Sequence, residues 1–240
     1  MIDKIFVCHH KPLVHRKKNL QNFFDNNDID VEWIENYLPE EIKEDYNNLI
    51  GLDELERNPI SYNISDERYK LFPGWFGHIK NFSNNKRDVT IPELSLYLKQ
   101  KECFEKHIKK KYKNILILED DIIFPDNFLE YLNKCILEFE SHRPELDCLI
   151  IGSCCGFKSN NIESDKFVYY DKSNLTRCAH AIVYTLNASE KIYKNLYPIN
   201  WPIDFKLNEI IIKENLKVGW VEPPLQQASH LNLDKSTIQI

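Results

Sequence analysis

The stretch that most constrains this 240-residue sequence is an apolar run that ends in three consecutive acids. It reads NILILEDDIIF over residues 114–124, so that Glu119, Asp120 and Asp121 directly follow the run. A run of isoleucine and leucine bounded by charge is typical of a strand buried on both faces. Because open α/β sheets bind their ligands at the carboxyl ends of strands, the three acids are predicted to lie at a ligand-binding edge.

These three acids are expected to need positively polarised partners. Side chains alternate along a strand, so Glu119 and Asp121 are predicted to share one side while Asp120 points to the other. Like charges at the edge of a core repel one another and resist desolvation. A cation or a fixed set of hydrogen-bond donors would satisfy them, and a divalent metal ion is the simplest solution.

The rest of the chain alternates between strand-like and helix-like segments, which predicts an α/β fold in a single domain spanning residues 1–240. The predicted strands cover residues 2–8, 31–34, 114–118, 146–152, 181–184 and 218–221. Helices are predicted over residues 14–24, 92–111, 125–139 and 188–196, and from residue 202 onward. Residues 38–90 interrupt the alternation with charged, asparagine-rich sequence, and we interpret them as an irregular insertion.

Composition argues against several classes of protein. The chain has 31 lysine and arginine residues against 37 aspartate and glutamate residues, and this net charge of -6 argues against binding nucleic acid through its phosphates. The amino-terminal sequence is too short and too charged for a signal peptide, and no apolar run has the length of a membrane span, so we expect a cytoplasmic protein. Seven cysteines without a CxxC pair are expected to be reduced thiols rather than zinc ligands.

Five short pieces of sequence, in order along the chain, carry a family resemblance. They lie at residues 7–17, 93–121, 177–184, 201–205 and 222–238, and they include the acidic strand and the sequences RCAHAIVY, WPIDF and EPPLQQ. In this order they resemble glycosyltransferase family 25, the group that includes lipooligosaccharide galactosyltransferases and collagen galactosyltransferases. One piece alone would be a weak signal, whereas five in the family's order are specific.

The resemblance implies a GT-A-type nucleotide-diphospho-sugar transferase fold, with a mixed, mostly parallel central sheet flanked by helices. It implies an inverting, metal-dependent enzyme that moves a hexose, galactose or glucose, from a UDP-sugar to a hydroxyl group. The acceptor would be a glycan, a glycolipid or a collagen-like protein, as in lipopolysaccharide biosynthesis or protein glycosylation, and residues 38–90 would lie on the acceptor side. The cofactor would be Mn2+ or Mg2+, which carboxylate oxygens bind well.

The roles of acidic residues in the family transfer to four positions of this sequence. Asp121 would be a direct metal ligand, and Glu119 would act with it through the metal, a water molecule or the ribose. Asp120 is placed in the same donor site. Asp204, just inside a helix, would be the base that inversion in one displacement requires. The plainer alternative for Asp204 is a first-turn acid that only favours the helix dipole.

Two basic residues complete the predicted site. Arg16 would meet the diphosphate of the donor, and its alternative is an exposed helix charge. His230, near the carboxyl terminus, would reach the metal ion, since neutral imidazole is a competent ligand for Mn2+. Its alternative is a solvated histidine in a polar segment.

The chain departs from the family at one pair of positions. The family's Ser-His pair, in the helix before the acidic strand, falls on Lys99 and Gln100 here. An altered or lost activity is therefore an alternative to the activity of the family. A catalytically silent carbohydrate-binding relative is therefore the main alternative function. A Mg-binding phospho-receiver domain would need an acceptor aspartate after a later strand, where Ser153 stands. A haloacid-type phosphatase would need an aspartate two residues after Asp121, where Ile123 stands.

Overall fold

The computed structural model describes residues 1–45, 89–142, 145–154, 156–229, 231, 233 and 234. Its strands are β1 (Lys4–Cys8), β2 (Val31–Ile34), β3 (Asn114–Glu119), β4 (Ile122–Ile123), β5 (Cys148–Gly152), β6 (Val168–Tyr170), β7 (Ala181–Thr185) and β8 (Val218–Gln227). Its helices are α1 (Val14–Asn26), α2 (Pro39–Ile42), α3 (Ile91–Lys110), α4 (Phe128–His142), α5 (Leu186–Lys194) and α6 (Ile203–Lys213). The predicted α/β alternation is confirmed.

The strands form one mixed sheet within the described part of the chain. Its order is β2-β1-β3-β7-β5-β8-β4, with β6 also paired to β8. β1 is parallel to β2 and β3, and β5 is parallel to β8. β7 is antiparallel to β3 and β5, while β4 and β6 are antiparallel to β8. The carboxyl ends of β1, β3, β5 and β8 therefore meet the amino end of β7 at one edge, and a mixed sheet flanked by helices is confirmed.

Helix α3, which precedes the acidic strand, begins with a capping box. The Thr90 hydroxyl accepts a hydrogen bond from the Glu93 amide at 3.4 Å, and the Glu93 carboxylate accepts one from the Thr90 amide at 2.8 Å. Pro92 suits the first turn, where its missing N–H would have no helical partner. At 20 residues α3 is long, but neither it nor any other helix in the described ranges combines the length and apolar character needed to cross a membrane.

Alternation along β3 separates two layers of the core. Ile115 and Ile117 face the layer that contains α3, α5 and α6, whereas Leu116 and Leu118 face the layer that contains α1 and α4. Each of these four side chains is at most 1% exposed. Burial of such a side chain stabilises the fold by roughly 1.5–3 kcal/mol. The strand is therefore buried on both faces, as its sequence predicts, and the acids that follow it continue toward the two layers in turn.

Three strands differ from the predictions, because β4 and β6 are not among the predicted strands and β8 is longer than predicted. The predicted strand over 218–221 continues in the structure to Gln227, although Pro223 and Pro224 are unfavourable in a paired strand. Beyond the two prolines β8 pairs again, with Gln226 and Gln227 opposite β4. The sequence does not predict β6, because three residues carry too little periodic signal, and this strand forms by pairing along β8.

Two cysteines correct the expectation of reduced thiols. Cys154 and Cys178 are joined by a disulfide, with their Cα atoms 6.1 Å apart. Cys154 follows β5 and Cys178 precedes β7, and the antiparallel pairing of these strands brings both segments to the same edge. A separation of 24 residues in the sequence gives no sign of this proximity. The free cysteines among the described residues are buried: Cys8, Cys103, Cys135 and Cys148.

Most of the predicted insertion lies outside the described residues. Its first part contains the short helix α2, and Val89 and Thr90 at its end lead into α3. Residues 46–88 fall outside the described ranges, so their place on the acceptor side stays a prediction.

A buried ion pair joins the segment before β7 to strand β8. Arg177 is fully buried, and its Nη1 donates to Oε1 of Glu222, a residue that is 4% exposed, at 2.7 Å. The other terminal nitrogen, Nη2, donates to the Val221 carbonyl at 2.8 Å. Because an unpaired buried charge is costly, the two charged groups depend on each other.

We expect Arg177→Met to lower the free energy of unfolding by about 3–5 kcal/mol, because it leaves the Glu222 carboxylate buried and unpaired. Urea denaturation of the wild type and the variant measures the change. Lys134→Met is the control, since it removes an exposed salt bridge to Glu130 on α4 and should move the midpoint far less. Equal midpoints for the two variants would contradict the structural role of Arg177.

Candidate functional site

The three acids lie where the sequence predicts them, at the carboxyl end of β3. Cys8, the last residue of β1, lies beside Glu119 in the parallel register. On the other side, the Glu119 amide donates to the carbonyl of His180, just before β7, at 2.9 Å. The acids therefore stand between β1 and β7, at the edge where the parallel strands end and β7 begins.

Glu119 and Asp121 share one hydrogen-bond donor. The side-chain amide of Gln227 donates to Oε2 of Glu119 at 3.3 Å and to Oδ1 of Asp121 at 3.1 Å. The Ser229 hydroxyl donates to Oδ2 of Asp121 at 2.6 Å. Two carboxylates that reach one nitrogen atom must converge, which confirms that these acids point to the same side of the strand.

The convergence of these carboxylates has an electrostatic cost. Desolvation raises the pKa of Glu119 well above its ordinary value, although part of the residue's surface remains accessible, and the charge of Asp121 raises it further. Smaller contributions come from Cys8, Asp120 and Asp204. A cation between Glu119 and Asp121 would relieve this repulsion, and carboxylate oxygens are the ligands that Mn2+ and Mg2+ prefer.

Asp120 points to the opposite side and is bound there by three donors. Its Oδ2 accepts from Nδ1 of His9 at 2.7 Å and from the His10 amide at 3.0 Å, while Oδ1 accepts from Nη1 of Arg16 at 2.8 Å. Burial alone would raise the pKa of Asp120, but these hydrogen bonds outweigh burial and lower it below its ordinary value. The geometry makes Asp120 an ionised acceptor that holds Arg16 in place.

Arg16 lies in the first turn of α1 between two carboxylates. It is 6% exposed, so the alternative of an exposed helix charge is wrong. Besides the bond to Asp120, its Nε donates to Oδ2 of Asp234 at 2.6 Å. The ring of His15 also lies 3.5 Å from this Asp234 oxygen. The guanidinium therefore lies on the Asp120 side of the acidic strand, opposite to the Glu119 and Asp121 side chains.

Asp204 stands in the first turn of α6, partly exposed, after the N-cap residue Pro202. Its Oδ1 accepts from the Phe205 amide at 2.9 Å. Burial raises the pKa of Asp204 to about 6, and the charge of Glu93 contributes to this rise against the Phe205 hydrogen bond. The charge of Asp204 in turn contributes to the raised pKa of Glu119.

Comparison with known proteins identifies the chain. The family model of glycosyltransferase family 25 (LPS biosynthesis protein) matches residues 2–207. The chain belongs to glycosyltransferase family 25. The family predicted from the five pieces of sequence is confirmed, and the protein is a glycosyltransferase. The match runs from the amino terminus into α6, so it includes the acidic strand and Asp204, and it ends before β8. No curated protein matches the chain.

The positions of the family's Ser-His pair have a packing role in this glycosyltransferase. Lys99 is 3% exposed, and its Nζ donates to the Ser95 hydroxyl at 2.6 Å and to the Tyr37 carbonyl at 3.3 Å. Tyr37 has a positive φ of 62°, so Lys99 and Ser95 together fix a left-handed turn after β2. Gln100 is fully buried and donates to the Ala179 carbonyl at 3.4 Å. Lys99 and Gln100 therefore bind backbone carbonyls in the segments after β2 and before β7.

Sequence reasoning gave no role to several residues that contact the charged groups. These are His9, Gln227, Ser229 and Asp234. Gln227 and Ser229 lie in the segment 222–238 that carries part of the resemblance, but nothing in their spacing relates them to the acids. His230 lies outside the described residues, so its contact with a metal ion stays a prediction.

Proposed function

We propose that this glycosyltransferase moves a hexose from a UDP-sugar to a hydroxyl group of a glycan acceptor, with inversion at the anomeric carbon. The observation that carries the proposal is the convergence of Glu119 and Asp121 on one side of β3, where they share the side-chain amide of Gln227. The mixed sheet, with its acids at the carboxyl end of a buried strand, supports a GT-A-type arrangement. Galactose and glucose are the hexoses proposed.

The carboxylate oxygens at the end of β3 fit a divalent ion, Mn2+ or Mg2+. Asp121 and Glu119 would hold it, and His230 is proposed as a further ligand. When bound, the ion would stabilise the negative charge that develops on the leaving diphosphate. No group of three or more histidine, cysteine, aspartate or glutamate side chains in the described part of the chain forms a ready-made metal site. Such ions commonly bind through one or two carboxylates, with water and substrate phosphate completing the shell.

Arg16 supplies positive charge on the other side of the acidic strand. Asp120 holds its guanidinium at 2.8 Å and is itself fixed by His9 and the His10 amide. A guanidinium suits phosphate oxygens because it presents several N–H groups in one plane. We propose that Arg16 binds the donor diphosphate. Asp120, which the sequence predicts in the donor site, would act there by orienting Arg16.

Asp204 is the proposed base. Inversion in one displacement requires a group that takes the proton from the acceptor hydroxyl as the new bond forms. An aspartate with a pKa of about 6 is ionised at neutral pH and is a stronger base than an ordinary aspartate. Its partial exposure leaves it accessible to an acceptor.

A screen of nucleotide sugars tests the proposed function. We expect the full chain to release UDP from UDP-galactose or UDP-glucose when Mn2+ is present, slowly with water and faster with a glycan acceptor. A coupled assay for UDP measures the release, with GDP-mannose and an EDTA-treated sample as controls. Binding of these sugars without any release, in the presence of varied acceptors, would instead identify a silent carbohydrate-binding relative.

A further inference from the structure

The C-terminal segment contacts Asp121 and Arg16, two of the charged groups that the proposed reaction uses. By this segment we mean residues 227–229, 231, 233 and 234. Gln227 and Ser229 donate to Asp121 at 3.1 Å and 2.6 Å, while Asp234 accepts from Arg16 at 2.6 Å. The segment therefore places hydrogen-bond donors on the acid and a carboxylate on the arginine. A metal ion with a diphosphate would present the same polarity to the same two residues.

The two carboxylates on Arg16 differ in their exposure to solvent. Asp120 has a side chain that is 9% exposed, and three donors bind it. The Asp234 side chain is 28% exposed. Its segment turns back on itself through amides of Leu231 and Leu233, which donate to the Ala228 carbonyl at 3.2 Å and 2.9 Å. Asp120 is therefore the buried partner of Arg16, and Asp234 is the more exposed partner, which a ligand from solvent reaches first.

We propose that the C-terminal segment occupies the donor site at rest, and that the donor diphosphate displaces Asp234 from Arg16. The inference rests on the proposed function, because it takes the ligand to be a nucleoside diphosphate. Asp234 and the diphosphate both present anionic oxygens to Arg16, so the guanidinium stays paired with a negative charge after the exchange. Only molecules in which Asp234 does not cover Arg16 can then bind the donor. The apparent dissociation constant equals the intrinsic one divided by the fraction of such molecules.

Removal of the Asp234 charge tests the exchange. We expect Asp234→Asn to bind UDP, in the presence of Mn2+, about 3- to 10-fold more tightly than the wild type, because the competing carboxylate is gone. Isothermal titration calorimetry on the full chain measures the dissociation constant. Asp165→Asn, at an exposed aspartate between β5 and β6, removes the same charge elsewhere and should leave the affinity unchanged. Asp234→Glu keeps a carboxylate and should stay near the wild-type affinity.

A second background separates competition from long-range charge effects. In Arg16→Gln, which should bind UDP more weakly, Asp234→Asn should give no further tightening, because the residue for which the two anions compete is absent. A gain that persists in this background would overturn the exchange. An affinity of Asp234→Asn equal to or weaker than that of the wild type, with an unchanged thermal midpoint, would overturn it as well.

Turnover distinguishes this inference from the proposed function. If the wild type releases UDP from a nucleotide sugar while Asp234→Asn binds UDP no more tightly, only the exchange is wrong. If the wild type neither binds UDP nor releases it from any nucleotide sugar, the proposed function fails, and the exchange fails with it.

Discussion

Asp121→Asn is expected to reduce hexose transfer by about 10²–10³-fold, because it removes a carboxylate that would hold the ion by which the charge on the leaving diphosphate is stabilised. The asparagine is close to isosteric, and its amide oxygen can still accept the hydrogen bond from Ser229. The variant should therefore fold much as the wild type does, and loss of the repulsion between residue 121 and Glu119 favours the folded state. The loss should appear in kcat and in the affinity for Mn2+.

Steady-state rates of UDP release and a titration with Mn2+ measure these two effects. Asp165→Asn is the charge-matched control, and a thermal melt of each variant excludes unfolding as the cause. Turnover and Mn2+ dependence like those of the wild type in Asp121→Asn would show that the ion, or the ligand to it, lies elsewhere.

Asp204→Asn is expected to reduce kcat by about 10²–10⁴-fold, the usual contribution of a positioned base. In the wild type kcat should rise with pH as Asp204 loses its proton, around its pKa of about 6. The charge of Glu93 also favours the protonated form of Asp204. The rate profile of the variant should lack this rise near pH 6, and a profile that keeps it would assign the base to another group.

The raised pKa of Asp204 also predicts how its variant folds. The folded protein binds the proton more tightly than the unfolded chain, because the pKa is about 6 in the fold against an ordinary 3.8. Stability therefore falls as pH rises through this window, and the ionised side chain destabilises the fold at neutral pH. Asp204→Asn should be at least as stable as the wild type at pH 7 in thermal denaturation, which separates loss of the base from loss of structure.

Local signals explain which parts of the fold could be predicted. Thr90 and Pro92 mark the start of α3, and the apolar run before Glu119 marks β3, because capping and periodicity are properties of neighbouring residues. Strand partners are not local. Nothing in the sequence shows that β7 inserts antiparallel between β3 and β5, or that β8 resumes pairing beyond Pro223 and Pro224.

The residues of the candidate site likewise fall into those that the sequence could predict and those that it could not. Glu119, Asp120 and Asp121 could be found because they are adjacent, and strand alternation predicted which of them share a side. Their partners could not be found, because Gln227 lies 106 residues from Asp121 and Asp234 lies 218 residues from Arg16. Contacts over such separations depend on the whole sheet, and the match to the family ends before this segment.

The reversed direction of β7 has a consequence for how such a protein could change its substrates. Because β7 runs against both neighbours, the reactive edge carries the loops that follow β3 and β5 together with residues 177–180, which precede β7. Several separate loops therefore meet at this edge. A new acceptor could thus be accommodated by remodelling one loop at a time, while the acids beneath keep their positions.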